Sequence, residues 1–319
     1  MENTEKTSAE RENLEKETIQ ENGMRKRRIG ETLPVLYLEA FVLILAGQML
    51  GGIFVGIFSV CLKGFAERMY DVWFTASVYA VFTGIWIVAL LFIGLSGRRR
   101  PIFHALGTQS AGNNWKGFLM GLLIGFALNG VCILTAFLHK DIAIQFDSIR
   151  PVSLAVIFVF VFIQSSAEEV VCRGFLYQML LKGSRRPGFA IVGNAMFFAV
   201  MHLFNQGVTV LSVFNIFLTG LLFSFMVYYM DSLWCAFAAH AAWNFTQNIL
   251  FGLPNSGMVV PYSVFKLDAA SAMDSFAYNV GFGIEGTIMA DGVLLAACVA
   301  MYLWGRKYGK KSMGVWETS

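Results

Sequence analysis

The sequence predicts an all-α integral membrane protein, a bundle of about eight transmembrane helices around a polar intramembrane chamber. Three observations carry this. Hydrophobic residues make up 56% of the 319 residues and charged ones only 14%, whereas soluble domains run near half apolar and a quarter charged. The excess is gathered in long runs such as Ala76 to Leu95 and Val152 to Ile163, and a bilayer core of about 30 Å calls for such runs. The polar residues that interrupt them fall in three islands in the second half of the chain. A soluble two-domain enzyme is excluded. The formal net charge of +3 sits in short patches that read as topology signals, so no nucleic-acid partner is expected.

Taken in order, residues 1–33 form a charged tail, expected to be disordered. Its first 24 residues hold seven Glu and no apolar core, so it does not read as a signal peptide. The transmembrane domain is expected over residues 34–305, with apolar spans at 35–61, 72–95, 117–138, 152–181, 188–204, 208–230, 233–251 and 286–304. A basic tail, residues 306–319, follows. Arg25 to Arg28, Arg98 to Arg100, Lys182 with Arg185 and Arg186, and Arg306 to Lys311 all fall on one side of such a layout. The positive-inside rule then places both termini in the cytoplasm of a multi-pass cell-membrane protein. The basic runs would meet lipid headgroups as their second role. The fourth span is longer than a bilayer needs, about 45 Å at 1.5 Å per residue. Residues 252–285 form the one long loop between spans, punctuated by Pro254, Asn255, Gly257 and Pro261; it should be extracytoplasmic and could cap a site. The five cysteines stand singly and read as small core residues.

The islands carry the chemistry. Glu168, Glu169 and Arg173 lie inside the fourth span. Charges near a membrane helix centre cost about 2.5–3.5 kcal/mol each on the insertion scale, so they need partners or a water-filled cavity. Glu169 and Arg173, four apart, share a helix face and can pair, while Glu168 is rotated by about 100° and can face elsewhere. Phe198 and His202 in the fifth span and His240 and Asn244 in the seventh repeat the i, i+4 spacing. Glu168, His202 and His240 lie about 21, 22 and 13 Å from the nearest cytoplasmic breaks, compatible with one chamber. There a glutamate can take a proton from water, a histidine can orient that water, and a His/Asn pair can hold a developing oxyanion. Glu168, His202 and His240 would equally accept zinc, although no HExxH is present.

The ordered set Glu-Glu-x-x-x-Arg, Phe-x-x-x-His and His-x-x-x-Asn on successive membrane helices resembles the CPBP family of intramembrane endopeptidases, the type II CAAX prenyl protease and bacteriocin-processing (Abi-like) proteins. The likeness covers roughly residues 150–250, and Asp231-Ser232-Leu233-Trp234 resembles the family's lead-in to its third motif. It implies that Glu168 activates water beside His202, that His240 and Asn244 stabilise the oxyanion, and that Glu169 and Arg173 brace the site. It favours glutamate chemistry without a cofactor. The implied substrate is a membrane-associated peptide or protein tail. Two other classes stay open. A Glu/His relay could serve a proton-coupled transporter, although no inverted repeat is visible. A non-catalytic scaffold or bacteriocin-immunity factor is also compatible with the family. Read singly, the Glu169–Arg173 pair, His202 and Asn244 are as consistent with structural pairing and helix contacts as with catalysis.

Overall fold

In the computed structural model, residues 32–310 and residue 315 are described, so the expected tails fall for the most part outside the described residues. The chain is mostly helical. It runs through α1 (Leu33–Cys61), α2 (Lys63–Arg68), α3 (Tyr70–Ala80), α4 (Thr83–Gly94), α5 (Ile102–Leu106), α6 (Trp115–Leu138), β1 (Ile144–Phe146) and α7 (Pro151–Glu169). A π-helical turn (Val170–Leu176) joins α7 to α8 (Tyr177–Ser184); then come α9 (Pro187–Met201), α10 (Val210–Met230) and α11 (Leu233–Asn244). A second π-helical turn (Phe245–Leu250) extends α11, and β2 (Phe265–Leu267), a 3-10 turn (Ile284–Gly286) and α12 (Ile288–Tyr308) complete the chain.

Each of the eight apolar stretches corresponds to helix, but only six helical segments among the described residues are long and apolar enough to cross a membrane. They are Leu33–Cys61, Tyr70–Gly94, Trp115–Leu138, Pro151–Ser184, Val210–Met230 and Ile288–Tyr308. The expectation of about eight counted α9 and α11 as well. At 15 residues, α9 is about 22 Å long, short of a bilayer core. The segment led by α11 carries His240, Asn244, Thr246, Gln247 and Asn248, all buried inside the protein. The chain is thus a multi-pass helical membrane protein whose most polar helix is shielded by its neighbours.

Helix starts follow local chemistry. Pro151 and Pro187 sit in the first turns of α7 and α9, where a missing N–H costs nothing. Thr209 and Ser212 form a capping box on α10. The Ser232 hydroxyl accepts from Cys235 N at 3.1 Å to open α11, after Asp231 takes a left-handed turn with φ 50°. That cap fixes the phase of α11 and so the face on which His240 and Asn244 fall.

α11 packs most extensively on α6 and also lies against α7. Its contact with α6 is close because Gly121 and Gly125 present no Cβ, which would collide with the carbonyls of Cys235 and Ala239. Small residues four apart are the usual device for such an approach between membrane helices. α10 is flanked by α9 and α12. Basic residues gather at one end of the bundle: Lys182 Nζ donates to Arg98 O at 3.5 Å, and Arg99 pairs with Glu39 at 2.6 Å. At the other end the long loop is folded on itself. Its β2 pairs antiparallel with β1, Ile144 opposite Leu267 and Phe146 opposite Phe265, a small ribbon the helical patterning did not anticipate.

Candidate active site

Glu168, His202, His240 and Asn244 line one cavity of about 490 Å³. They arrive from three elements. Glu168 is on the last turn of α7, His202 caps the end of α9, and His240 and Asn244 stand one turn apart on α11. π-helical turns follow Glu169 and Asn244 directly; such turns often mark functional sites because they shift the phase of a helix locally.

Glu169 and Arg173 meet as the spacing predicted, with Arg173 Nη1 donating to Glu169 Oε1 at 2.8 Å and both side chains 0% exposed. Arg173 also donates from Nη2 to Gly220 O at 3.1 Å. Its guanidinium lies 4.4 Å from the Phe198 ring centroid and 5.6 Å from that of Phe223. A buried guanidinium so surrounded is compensated by charge, hydrogen bond and ring quadrupole together.

The pair reaches the chamber through His240. Glu169 Oε1, already bonded to Arg173, also faces His240 Nδ1 at 3.0 Å. A carboxylate accepts, so Nδ1 carries the proton and Nε2 is left toward Glu168, 3.9 Å from its Oε2. His202 is fixed in the same sense, because its Nδ1 lies 2.7 Å from Phe198 O and a carbonyl can only accept. Each imidazole is thereby oriented through Nδ1, with Nε2 as the nitrogen left for another partner. Phe198 does more than wall the chamber: its ring meets His202 at 4.8 Å and His240 edge-on at 6.0 Å, while Phe223 stacks on His240 at 5.3 Å.

Three participants were not singled out in the sequence. Gln164 donates from Nε2 to Glu168 Oε1 at 2.7 Å and accepts from Asn244 Nδ2 at 3.0 Å. It ties the carboxylate of α7 to the carboxamide of α11. Asn244 Nδ2 makes its second bond to Ser165 Oγ at 3.1 Å, and its Oδ1 accepts from Asn255 Nδ2 at 3.0 Å. Glu285, just ahead of α12, closes the cavity at the end covered by the loop. The only sequence signal for Gln164 is its place one turn before Glu168. Glu285 stands 117 residues beyond Glu168, and nothing local reveals that the two share a cavity.

Segment 252–285 does cover the site: Asn255, Ser256 and Gly257 line the cavity. Their turn is tight, with φ 47° at Ser256 and 84° at Gly257, and Gly257 in this left-handed conformation approaches Gln206 too closely for any Cβ. For the zinc alternative, no three His, Cys, Asp or Glu side chains converge in a metal-holding group among the described residues. Glu168 Oε2 is buried with no hydrogen-bond partner among them.

No curated protein matches the chain. Residues 150–246, which hold α7 to α11 and all seven residues of the three motifs, match the family model described as Rce1-like, type II CAAX prenyl endopeptidase.

Proposed function

We propose that the protein is an intramembrane endopeptidase in which Glu168 activates a water molecule against a peptide bond. The observation that supports this most is the convergence of Glu168, His202, His240 and Asn244 on one cavity inside a membrane domain, in a segment matching a prenyl endopeptidase family. The substrate on this reading is a membrane-associated peptide or protein tail. The basic end of the bundle faces the cytoplasm by the positive-inside rule, and the cell membrane is the proposed location.

The chemistry follows from the hydrogen bonds. Glu168, with Oε1 held by Gln164, takes a proton from water through Oε2 and later returns it to the leaving amine. His202 Nε2 accepts from the same water and aims it. His240, its Nδ1 proton anchored on the Glu169–Arg173 pair, stabilises the oxyanion as an imidazolium donating from Nε2. Asn244 adds an amide donor only after exchanging one of its bonds to Gln164 or Ser165 for the substrate oxygen. In this reading Glu169 and Arg173 position His240, and no metal takes part.

The test is cleavage of a quenched fluorescent peptide library by purified protein in detergent, wild type beside Glu168→Ala and His240→Ala, with and without a zinc chelator. The expected result is turnover in the wild type, insensitive to the chelator and lost in both variants. Chelator-sensitive turnover would move the reading to zinc. A well-folded wild type with no turnover on any peptide, together with Glu168→Ala retaining the cellular phenotype, would move it to a scaffold.

A further inference from the structure

The ionisable side chains lining the cavity are Glu168, Glu285, His202, His240 and Cys172, and among the described residues no Lys or Arg lines it. A second carboxylate in a chamber without a permanent cation is costly unless hydrogen bonds or a cationic ligand compensate it. Glu285 is 6% exposed. Its Oε1 accepts from Trp243 Nε1 at 2.9 Å, and its Oε2 from Ser256 N and Oγ at 2.6 and 3.0 Å. All three partners are donors, which offsets part of the cost of burying a carboxylate. Oε1 keeps capacity for a further donor.

Glu285 is also close to the reacting groups. Its partner Trp243 is adjacent to Asn244 and three residues past His240. Its other partner, Ser256, is adjacent to Asn255, which holds Asn244 Oδ1. The carboxylate therefore shares one cavity of about 490 Å³ with the His240/Asn244 pair, a space an extended peptide crosses in a few residues at about 3.3 Å each. A substrate carboxylate there would face Glu285 with no Lys or Arg among the lining residues to receive it, whereas a substrate ammonium or guanidinium would gain a charge-assisted bond.

We propose that Glu285 forms an acidic subsite that selects peptides bearing a Lys or Arg side chain within about three residues of the scissile bond over peptides with an acidic side chain at that position. This rests on the endopeptidase reading and names its substrate class.

The experiment uses one peptide scaffold carrying Lys, norleucine or Glu at each position within three residues of the cleaved bond. Cleavage is measured with wild type and Glu285→Gln at pH 8. Binding of the same fluorescent peptides is measured by anisotropy on Glu168→Gln and Glu168→Gln/Glu285→Gln. The expected result is a kcat/KM at least tenfold higher for Lys than for norleucine at one position, with Glu the poorest, and a Lys/norleucine ratio within twofold of one in Glu285→Gln. Because a ratio is read, a general loss of activity in the variant does not mimic the effect. Cleavage without charge preference, or an unchanged preference in Glu285→Gln, overturns the subsite while leaving the endopeptidase reading intact. If no peptide is cleaved, that reading fails and the binding arm decides the subsite alone: tenfold tighter Lys peptide, lost in the double variant, supports it, and equal affinities overturn it.

Discussion

Replacing Arg173 by Met removes the cation from a carboxylate that has almost no other compensation. Glu169 is 0% exposed and its Oε1 accepts from Arg173 and His240. The variant would strand that charge, and breaking a buried pair by removing one partner costs about 3–5 kcal/mol, a large share of a typical stability of about 5–15 kcal/mol. Replacing both residues, Glu169→Met with Arg173→Met, removes both buried charges and leaves side chains that pack beside Phe198 and Phe223. Such swaps are often neutral or stabilising, so the double variant should recover most of the loss. Its activity should not recover, because His240 Nδ1 has lost the acceptor that sets its tautomer and orientation; loss of a positioned acid or base costs about 10²–10⁴-fold. Thermal unfolding in detergent together with cleavage of the best library peptide separates the two roles. A double variant that is stable and cleaves within tenfold of wild type would refute the positioning role of Glu169. An Arg173→Met protein as stable as wild type would refute the pairing itself.

Three further outcomes follow from the same geometry. Gln164→Leu should lower kcat about tenfold with KM nearly unchanged, since tenfold is about 1.4 kcal/mol, at the low end of about 1.5–3 kcal/mol for a hydrogen bond to a charged group; steady-state kinetics showing a raised KM alone would contradict this. Gly125→Ala drives a methyl group into the Ala239 carbonyl and should cost about 1–3 kcal/mol as overpacking, with activity falling as α11 shifts, whereas Gly130→Ala, which meets nothing within 4 Å, should be silent in the same unfolding and cleavage assays. Burial, the largest influence, pushes the Glu285 carboxyl above the ordinary range against the opposing Ser256 and Trp243 hydrogen bonds. Its stabilising contribution is therefore complete below the unfolded-state pKa and is lost as pH rises through the folded one, so the fall in unfolding temperature from pH 5 to pH 8 should be smaller in Glu285→Gln than in wild type.

The sequence was informative where one helix carries the whole signal. The i, i+4 spacing of Glu169 with Arg173 gave a contact that the structure contains, and the polar islands at Glu168, His202 and His240 stood out because charge and imidazole are rare in apolar runs. Helix edges were less legible where apolar residues continue past the end: the run through Leu203 and Phe204 concealed that α9 stops at Met201 and that His202 is its cap. Contacts between distant segments were not legible at all. Gln164 resembles ordinary helix-interface polarity until Asn244 is seen 3.0 Å away. The folding of residues 252–285 into a cover depends on the pairing of β1 with β2 and on the seating of Ser256 against Glu285. Neither periodicity nor composition encodes those pairings.

The central claim is that Glu168 activates the attacking water. Its most direct test is the single-turnover cleavage rate of Glu168→Gln beside wild type on the same peptide, with unfolding temperatures recorded for both. The account predicts a rate at least a thousandfold lower with an unfolding temperature within a few degrees of wild type. A folded Glu168→Gln protein that cleaves within tenfold of wild type would contradict it.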